Sequence, residues 1–150
     1  MNSTEFQKHA EKMFPLVPHL GLQVKTFLAK ECVLTGAWAQ NKNHIGTVFG
    51  GSLYCFAALA SYGLIWAALS ERGMMTGNIV ISEGGIKYLA PVKGDFEVCC
   101  QAPENAMWEN FFQSFIKKGK ARLPLTANVM WNNKVCAVFQ GTYVTRREDS

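Results

Sequence analysis

NKNHIGTVFGGSLYCFAALASYGLIWAALS, residues Asn41–Ser70, changes character once along its length. Its first part is polar, then glycine-rich, and carries the turn residues of a loop running from Gln40 to Gly51. From Leu53 to Leu69 it carries no charge, over roughly 17 residues, the short limit for crossing a bilayer. A single stretch of this length among strand-like segments reads as a buried core helix rather than a membrane span. A helix apolar on all sides must be surrounded on nearly all of them, and a curved sheet can do that. Ser52 is the expected N-cap. Glu71-Arg72-Gly73 supplies a charged end and a terminating glycine after about Ser70.

Outward from this helix, the chain reads mostly as strands. On the N-terminal side, Thr4 to Phe14 is a short amphipathic helix, with Phe6, Ala10, Met13 and Phe14 near one face and Pro15 stopping it. Gly21 to Leu28 and Cys32 to Ala39 are strand candidates. On the C-terminal side, Asn78 to Leu89 is a long strand interrupted at Gly84-Gly85, where paired glycines suggest a bulge or a close approach by another segment. Pro91 ends it, and Asp95 to Gln101 is a further strand. Asn105 to Lys118 places Trp108, Phe111, Phe112 and Phe115 at helical spacing ahead of Gly119. Ala121 to Trp131 and Val135 to Thr145 flank Asn132-Asn133-Lys134, a hairpin signal. The order implies an α+β chain, an antiparallel sheet around one long helix, and a single domain over residues 1–150.

Bulk properties agree with that reading and exclude others. The 150 residues are 49% hydrophobic and 17% charged, enough to bury a core and unlike a disordered chain. A net charge of +4 favours anionic ligands weakly, but no basic helix, zinc-finger spacing or aromatic RNA-binding pattern points to nucleic acid. Five cysteines, an odd count without a C-x-x-C pair, suit reduced thiols in a cytoplasmic protein. The polar start MNSTEFQKHAEKMF lacks the basic and apolar regions of a signal peptide. No cluster of ligands suggests a metal, and no cofactor is expected.

The loop and helix start resemble those of hotdog-fold thioesterases, many of which show an Asn, then Gly-Thr, then His-Gly-Gly at this place. Asn43, Gly46-Thr47 and Gly50-Gly51 fit, while Phe49 stands where the His often is. The form Asn-x-Asn-x-x-Gly-Thr-x-Phe-Gly-Gly-Ser-Leu is similar to a thioesterase-like domain found alone or behind an N-terminal acetyltransferase domain. IVISEGGIKYLAPVKGDF (Ile79–Phe96) and FQGTYV (Phe139–Val144) fit the same family, so the resemblance covers roughly residues 16 to 146. It implies a hotdog fold and hydrolysis of acyl-CoA or acyl carrier protein thioesters. It also implies a dimer, or a tetramer of dimers, with the acyl site at the subunit interface. One departure matters. Many such enzymes place an acidic residue about two turns into the helix; here that position is Ala58, and the helix holds no carboxylate.

Thioester hydrolysis needs a polarised carbonyl and an activated water. A helix N-terminus offers free N–H groups and partial positive charge, and glycines let a carbonyl approach. Gly50, Gly51 and Ser52 are therefore the expected oxyanion site; a tight helix start capped by Ser52 is the plainer reading. Glu83, the only carboxylate between Arg72 and Leu89, is the expected base, with burial raising its pKa; the alternative is a solvent-facing Glu at a bulge. Asn43 either orients the water or holds the loop. Asn41, His44, Thr47, Phe49, Ser61, Ser82 and Tyr88 are candidate substrate-binding residues, though Ser61 can instead bond back to its own helix. Cys55 as a nucleophile lacks an identifiable His partner. Lys117-Lys118-Gly119-Lys120-Ala121-Arg122 either steers an anionic carrier or is a solvated helix end. The aromatic stripe of Trp108, Phe111, Phe112 and Phe115 either lines an acyl tunnel or packs the core. A non-catalytic acyl or CoA binder is the second functional reading, and a hotdog dehydratase the third, since Phe49 and Ala58 supply neither a His nor its acidic partner.

Overall fold

The computed structural model describes residues 1–76 and 78–148. Helix α1 (Ser3–Met13) opens with a capping box: Asn2 accepts from the Glu5 N–H, and the Glu5 carboxylate accepts from the Asn2 N–H. Its buried face, Phe6 and Ala10, packs on the core. A short 3-10 turn (Val17–His19) follows, then strands β1 (Leu22–Leu28) and β2 (Glu31–Gly36). The second strand ends three residues before the expected Ala39, because Trp38–Asn41 forms a helical turn, α2. Long-range bonds hold that turn: the Trp38 N–H donates to Asp95 Oδ1, and the Trp38 indole N–H to the Gly46 carbonyl.

The long helix is α3 (Gly50–Glu71). The remaining elements are β3 (Asn78–Tyr88), β4 (Phe96–Gln101), α4 (Asn105–Lys118), β5 (Lys120–Trp131) and β6 (Lys134–Arg146). All six strands make one antiparallel sheet in the order β1-β2-β4-β5-β6-β3, leaving β1 and β3 at its edges. The α+β arrangement of one antiparallel sheet and one long helix is the one expected. Local chemistry fixes the corners. Asn132 and Asn133 both take positive φ (54° and 60°) in the β5–β6 turn, a conformation Asn tolerates better than most residues. Gly119 takes φ 68° to end α4, its N–H donating to the Phe115 carbonyl.

The core lies between α3 and the sheet. Phe56, Ala57, Ala60, Leu64 and Ile65 of α3 meet Leu34, Val98, Ala127, Val129 and Phe139, all essentially inaccessible to solvent. Helix α3 is long and apolar enough to cross a membrane, yet it is mostly buried inside this fold. The stripe on α4 is core: Trp108 stacks on Phe112 and Phe111 sits edge-on to both, with centroids 5.3–5.6 Å apart. Lys117, Lys118, Lys120 and Arg122 are exposed around the end of that helix, as a solvated helix end would be.

Burial along α3 is uneven. Ala60 to Leu69 is buried without interruption, whereas Gly51, Ser52, Tyr54, Cys55, Ala58 and Leu59 form a half-exposed stripe on the first turns. These positions recur at helical spacing, so they share one face.

Candidate active site

The loop before α3 is built by its asparagines. Asn43 Oδ1 accepts from the N–H groups of Ile45 (3.0 Å) and Thr47 (3.1 Å), and its amide donates to Thr47 Oγ1 (2.8 Å). The Asn43 N–H donates to the Thr47 carbonyl at 2.7 Å, closing the hairpin-like loop. Between the two sequence readings of Asn43, these bonds support the one in which it holds the loop. Thr47 is its partner. His44 lies exposed at the loop tip.

Asn41 sits differently from the substrate-facing position expected of it. Only 2% exposed, it donates its amide to the carbonyls of Leu20 (2.7 Å) and Ala37 (2.8 Å). It therefore ties α2 to the segment ahead of β1. Its backbone carbonyl accepts from the Phe49 N–H at 2.7 Å, which aims the chain into α3.

At the α3 tip, Phe49 rather than Ser52 is the N-cap, and no side chain caps the helix. Ser52 lies inside the first turn, its N–H donating to the Phe49 carbonyl at 3.0 Å. The expected oxyanion set of three N–H groups therefore narrows to Gly50 and Gly51, whose N–H groups have no acceptor among the described residues. Both glycines sit close against a neighbouring side chain. A Cβ at Gly50 would come within 3.0 Å of the Tyr88 hydroxyl, and one at Gly51 within 2.5 Å of the Phe49 ring. Phe49 itself is 58% exposed, so its ring flanks the tip rather than entering the core. Tyr88 donates from its hydroxyl to the Gly50 carbonyl at 2.8 Å. Burial pushes the Tyr88 phenol pKa up, with the nearby Tyr54 phenol adding to the shift.

Strand β3 passes beside this tip, but it does not present Glu83 there. Ser82 is an extra residue in β3: Ile81 pairs with Tyr143 and Glu83 with Thr142, a bulge of two residues against one. Before the bulge, odd-numbered Ile79 is buried toward the core; after it, even-numbered Gly84 meets Tyr54 and Tyr88 meets Gly50. The bulge thus inverts the alternation, and Glu83 turns to the outer face. There it is exposed and lines a broad groove of about 1460 Å³ with Lys87, Gln140 and Thr142. The expectation of a buried carboxylate beside the helix start is corrected accordingly. Ser82, also exposed, donates to the Thr142 carbonyl at 3.2 Å and serves the bulge.

Two further candidates lie on α3. Ser61 is fully buried and donates to the Ala57 carbonyl at 2.9 Å, so it bonds within its helix instead of facing substrate. Burial raises the pKa of the half-buried Cys55 thiol, which disfavours the thiolate a nucleophile needs. All five cysteines are free thiols, and burial together with the Glu31 carboxylate pushes Cys99 up to about 12. Among the described residues no group of His, Cys, Asp and Glu could hold a metal ion.

Comparison with known proteins places this geometry. The family described as "Putative thioesterase (yiiD_Cterm)" matches residues 3–147. A crystal structure of a protein of unknown function from Chlorobaculum tepidum TLS superposes with a TM-score of 0.89 at 30% identity, covering 97% of this chain and 94% of that one. One described as a putative thioesterase from Shewanella oneidensis superposes at 0.85 with 26% identity, covering 96% of each chain. Zebra fish thioesterase superfamily member 2, at 18% identity, shares the fold with a TM-score of 0.69 over 99% of each chain. With the loop, the glycine tip and the sheet-wrapped helix in place, the chain belongs to this putative thioesterase family and carries its hotdog fold.

Proposed function

We propose that the protein hydrolyses acyl thioesters of coenzyme A or acyl carrier protein at the α3 tip. The observation that carries this reading is the pair of acceptor-free N–H groups of Gly50 and Gly51, half-exposed beside an open apolar stripe. Water adds to the thioester carbonyl carbon, and the carbonyl π pair becomes an oxyanion facing these N–H groups and the helix dipole. Collapse of the intermediate breaks the C–S bond, and the thiolate leaves with the proton that water gives up. The products are a carboxylic acid and a free thiol.

The stripe is completed by a second copy. Strand β3 is an 11-residue edge with Val80, Ile81 and Tyr88 exposed and exposed Leu89 directly after it, and a long apolar edge of that kind invites pairing. Pairing two copies through β3 gives a dimer and covers the half-exposed face of α3; a tetramer follows from two such dimers. Glu83 and Asn43 are the proposed water-activating pair. With Glu83 turned outward and Asn43 holding its own loop, Glu83 acts only if this pairing brings it to a partner's tip. The free thiols suit a reducing, cytoplasmic setting.

A second reading, a non-catalytic acyl or CoA binder, is favoured by the absence of a carboxylate from Ser52 to Ser70 of α3, Ala58 included, and by that outward turn. A panel of acyl-CoAs with detection of free thiol separates the two. The hydrolase reading predicts thiol release, lowered by Glu83→Gln without change in thermal stability. Tight binding without thiol release contradicts it. Unchanged rates for Glu83→Gln remove that residue from the reaction while leaving the hydrolase reading standing.

A further inference from the structure

The positive charge of this chain is gathered at one end of the sheet. Lys117 and Lys118 close α4, Lys120 and Arg122 open β5, and Arg146 and Arg147 stand at and just beyond the end of β6. All six are exposed, with Glu148 next in the chain. Backbone pairing and capping draw them together. Lys120 is the cross-strand partner of Arg146. Arg147 donates from its guanidinium to the Ile116 carbonyl at 3.3 Å and from its backbone N–H to the Gly119 carbonyl at 2.8 Å. These six cations exceed the +4 carried by the whole chain, so the rest of the chain is net negative.

Half of these charges have a structural use. Lys117 and Lys118 complement the negative end of the α4 dipole, and the Arg147 guanidinium caps the same end. Lys120, Arg122 and Arg146 have no such use. They share the outer face of the sheet, since their strand neighbours Ala121 and Thr145 are buried on the inner one. Lys120 and Arg146 oppose each other directly, an arrangement of like charges that costs stability. Among the described residues the ion pairs lie elsewhere, between the Met1 amino group and Glu5 and between Lys25 and Glu97. Two large apolar side chains stand at the same end. Ile116 directly precedes the α4 lysines and is more than half exposed. So is Met75, beside Thr76, whose hydroxyl donates to the Arg146 carbonyl. Cations interleaved with exposed aliphatic side chains match an anionic bilayer surface. There the charges meet headgroups and the aliphatic groups enter the acyl boundary. A nucleic-acid backbone gives those aliphatic groups nothing to enter.

We propose that this end of the molecule docks reversibly on membranes carrying anionic lipids. Lys120, Arg122 and Arg146 meet the headgroups, and Ile116 enters the bilayer surface beside them. Helix α3 stays inside the fold, so the contact is peripheral. The proposal concerns where the protein sits and stands independently of the hydrolase reading above.

The test is co-sedimentation of the full chain with two vesicle preparations, phosphatidylcholine alone and phosphatidylcholine mixed equally with phosphatidylglycerol. Binding to the mixed vesicles only, released at about 0.5 M salt, is the expected result. Lys120→Glu combined with Arg122→Glu should weaken that binding at least about tenfold. The new carboxylate at position 120 faces Arg146, a favourable cross-strand pair, so this variant should fold as well as the wild type. Lys8→Glu combined with Lys30→Glu makes the same change in net charge at exposed positions outside the cluster and should bind like the wild type. Ile116→Ser should weaken binding at least about threefold while leaving the charges in place. Equal binding to both vesicles, no binding to either, or equal loss in the two double variants overturns the proposal. Undiminished binding by Ile116→Ser also overturns it, because an acidic protein or any other polyanion would then fit the cluster equally well.

Discussion

The two halves of α3 have nearly the same composition and opposite surroundings. From Ala60 to Leu69 every residue is buried, while from Gly51 to Leu59 only Leu53, Phe56 and Ala57 are. Hydrophobicity alone does not distinguish them: the helix is apolar all round and shows almost no amphipathic bias. What differs is what encloses them. The C-terminal half is closed by the sheet, by α1 and by aromatic packing of Tyr62 and Trp66 against His9. The N-terminal half meets β3, an edge strand of the sheet. An apolar helix thus serves as a structural core along one half and as a lined, open surface along the other.

The sharpest way to break this comparison is to place one carboxylate in each half. Ala60→Asp buries an unpaired charge among Leu, Ile and Phe side chains, a cost of several kcal/mol that consumes most of a small domain's stability. It should yield unfolded or insoluble protein, whereas Ala58→Asp, on the open stripe, should remain folded by circular dichroism with a modest shift in Tm. Equal tolerance of both would erase the distinction. A milder version truncates leucines. Leu64→Ala should cost about 2–5 kcal/mol in urea unfolding, as fully buried leucines do, and Leu59→Ala on the open side about 1 kcal/mol or less.

The smallest expected effect concerns the closed half alone. His9 stacks on Trp66 with centroids 4.3 Å apart and hydrogen-bonds the Tyr62 hydroxyl at 2.9 Å. Burial, with Lys12 nearby, holds its pKa below the ordinary 6.5, so the folded state favours the neutral ring. The unfolded chain takes up the proton first as pH falls. The stability this site contributes is thus fully present above about pH 6.5 and declines as pH drops toward the folded value. Tm measured at about pH 7.5 and about pH 5 should fall slightly more in the wild type than in His9→Gln.

Much of this division was legible in the sequence, and the part that was not has identifiable causes. The enclosed helix, the hairpin at Asn132-Asn133 and the end of α4 at Gly119 follow from local chemistry, and they stand where expected. Glu83 does not, because a single inserted residue at Ser82 flips every side chain after it. Unbroken alternation from Ile79 would have aimed Glu83 at α3. The paired glycines at 84 and 85 did signal an irregularity. The bulge lies just before them, and Gly84 answers instead to the passing Tyr54 phenol. Serine's preference for the cap position points to Ser52, yet the Asn41–Phe49 backbone bond starts the helix earlier. Asn41 and the α2 turn depend on contacts with Leu20 and Asp95, which no local pattern announces.

The account turns on whether the open tip of α3 receives the thioester. A crystal structure with a CoA trifluoromethyl ketone bound, whose hydrate mimics the oxyanion, would decide this directly. The ketone-derived oxygen should lie within hydrogen-bond distance of the Gly50 or Gly51 N–H, with the acyl chain running along Tyr54, Ala58 and Leu59. A ligand seated instead in the outer groove beside Glu83 and Thr142, with the glycine tip unoccupied, would contradict it.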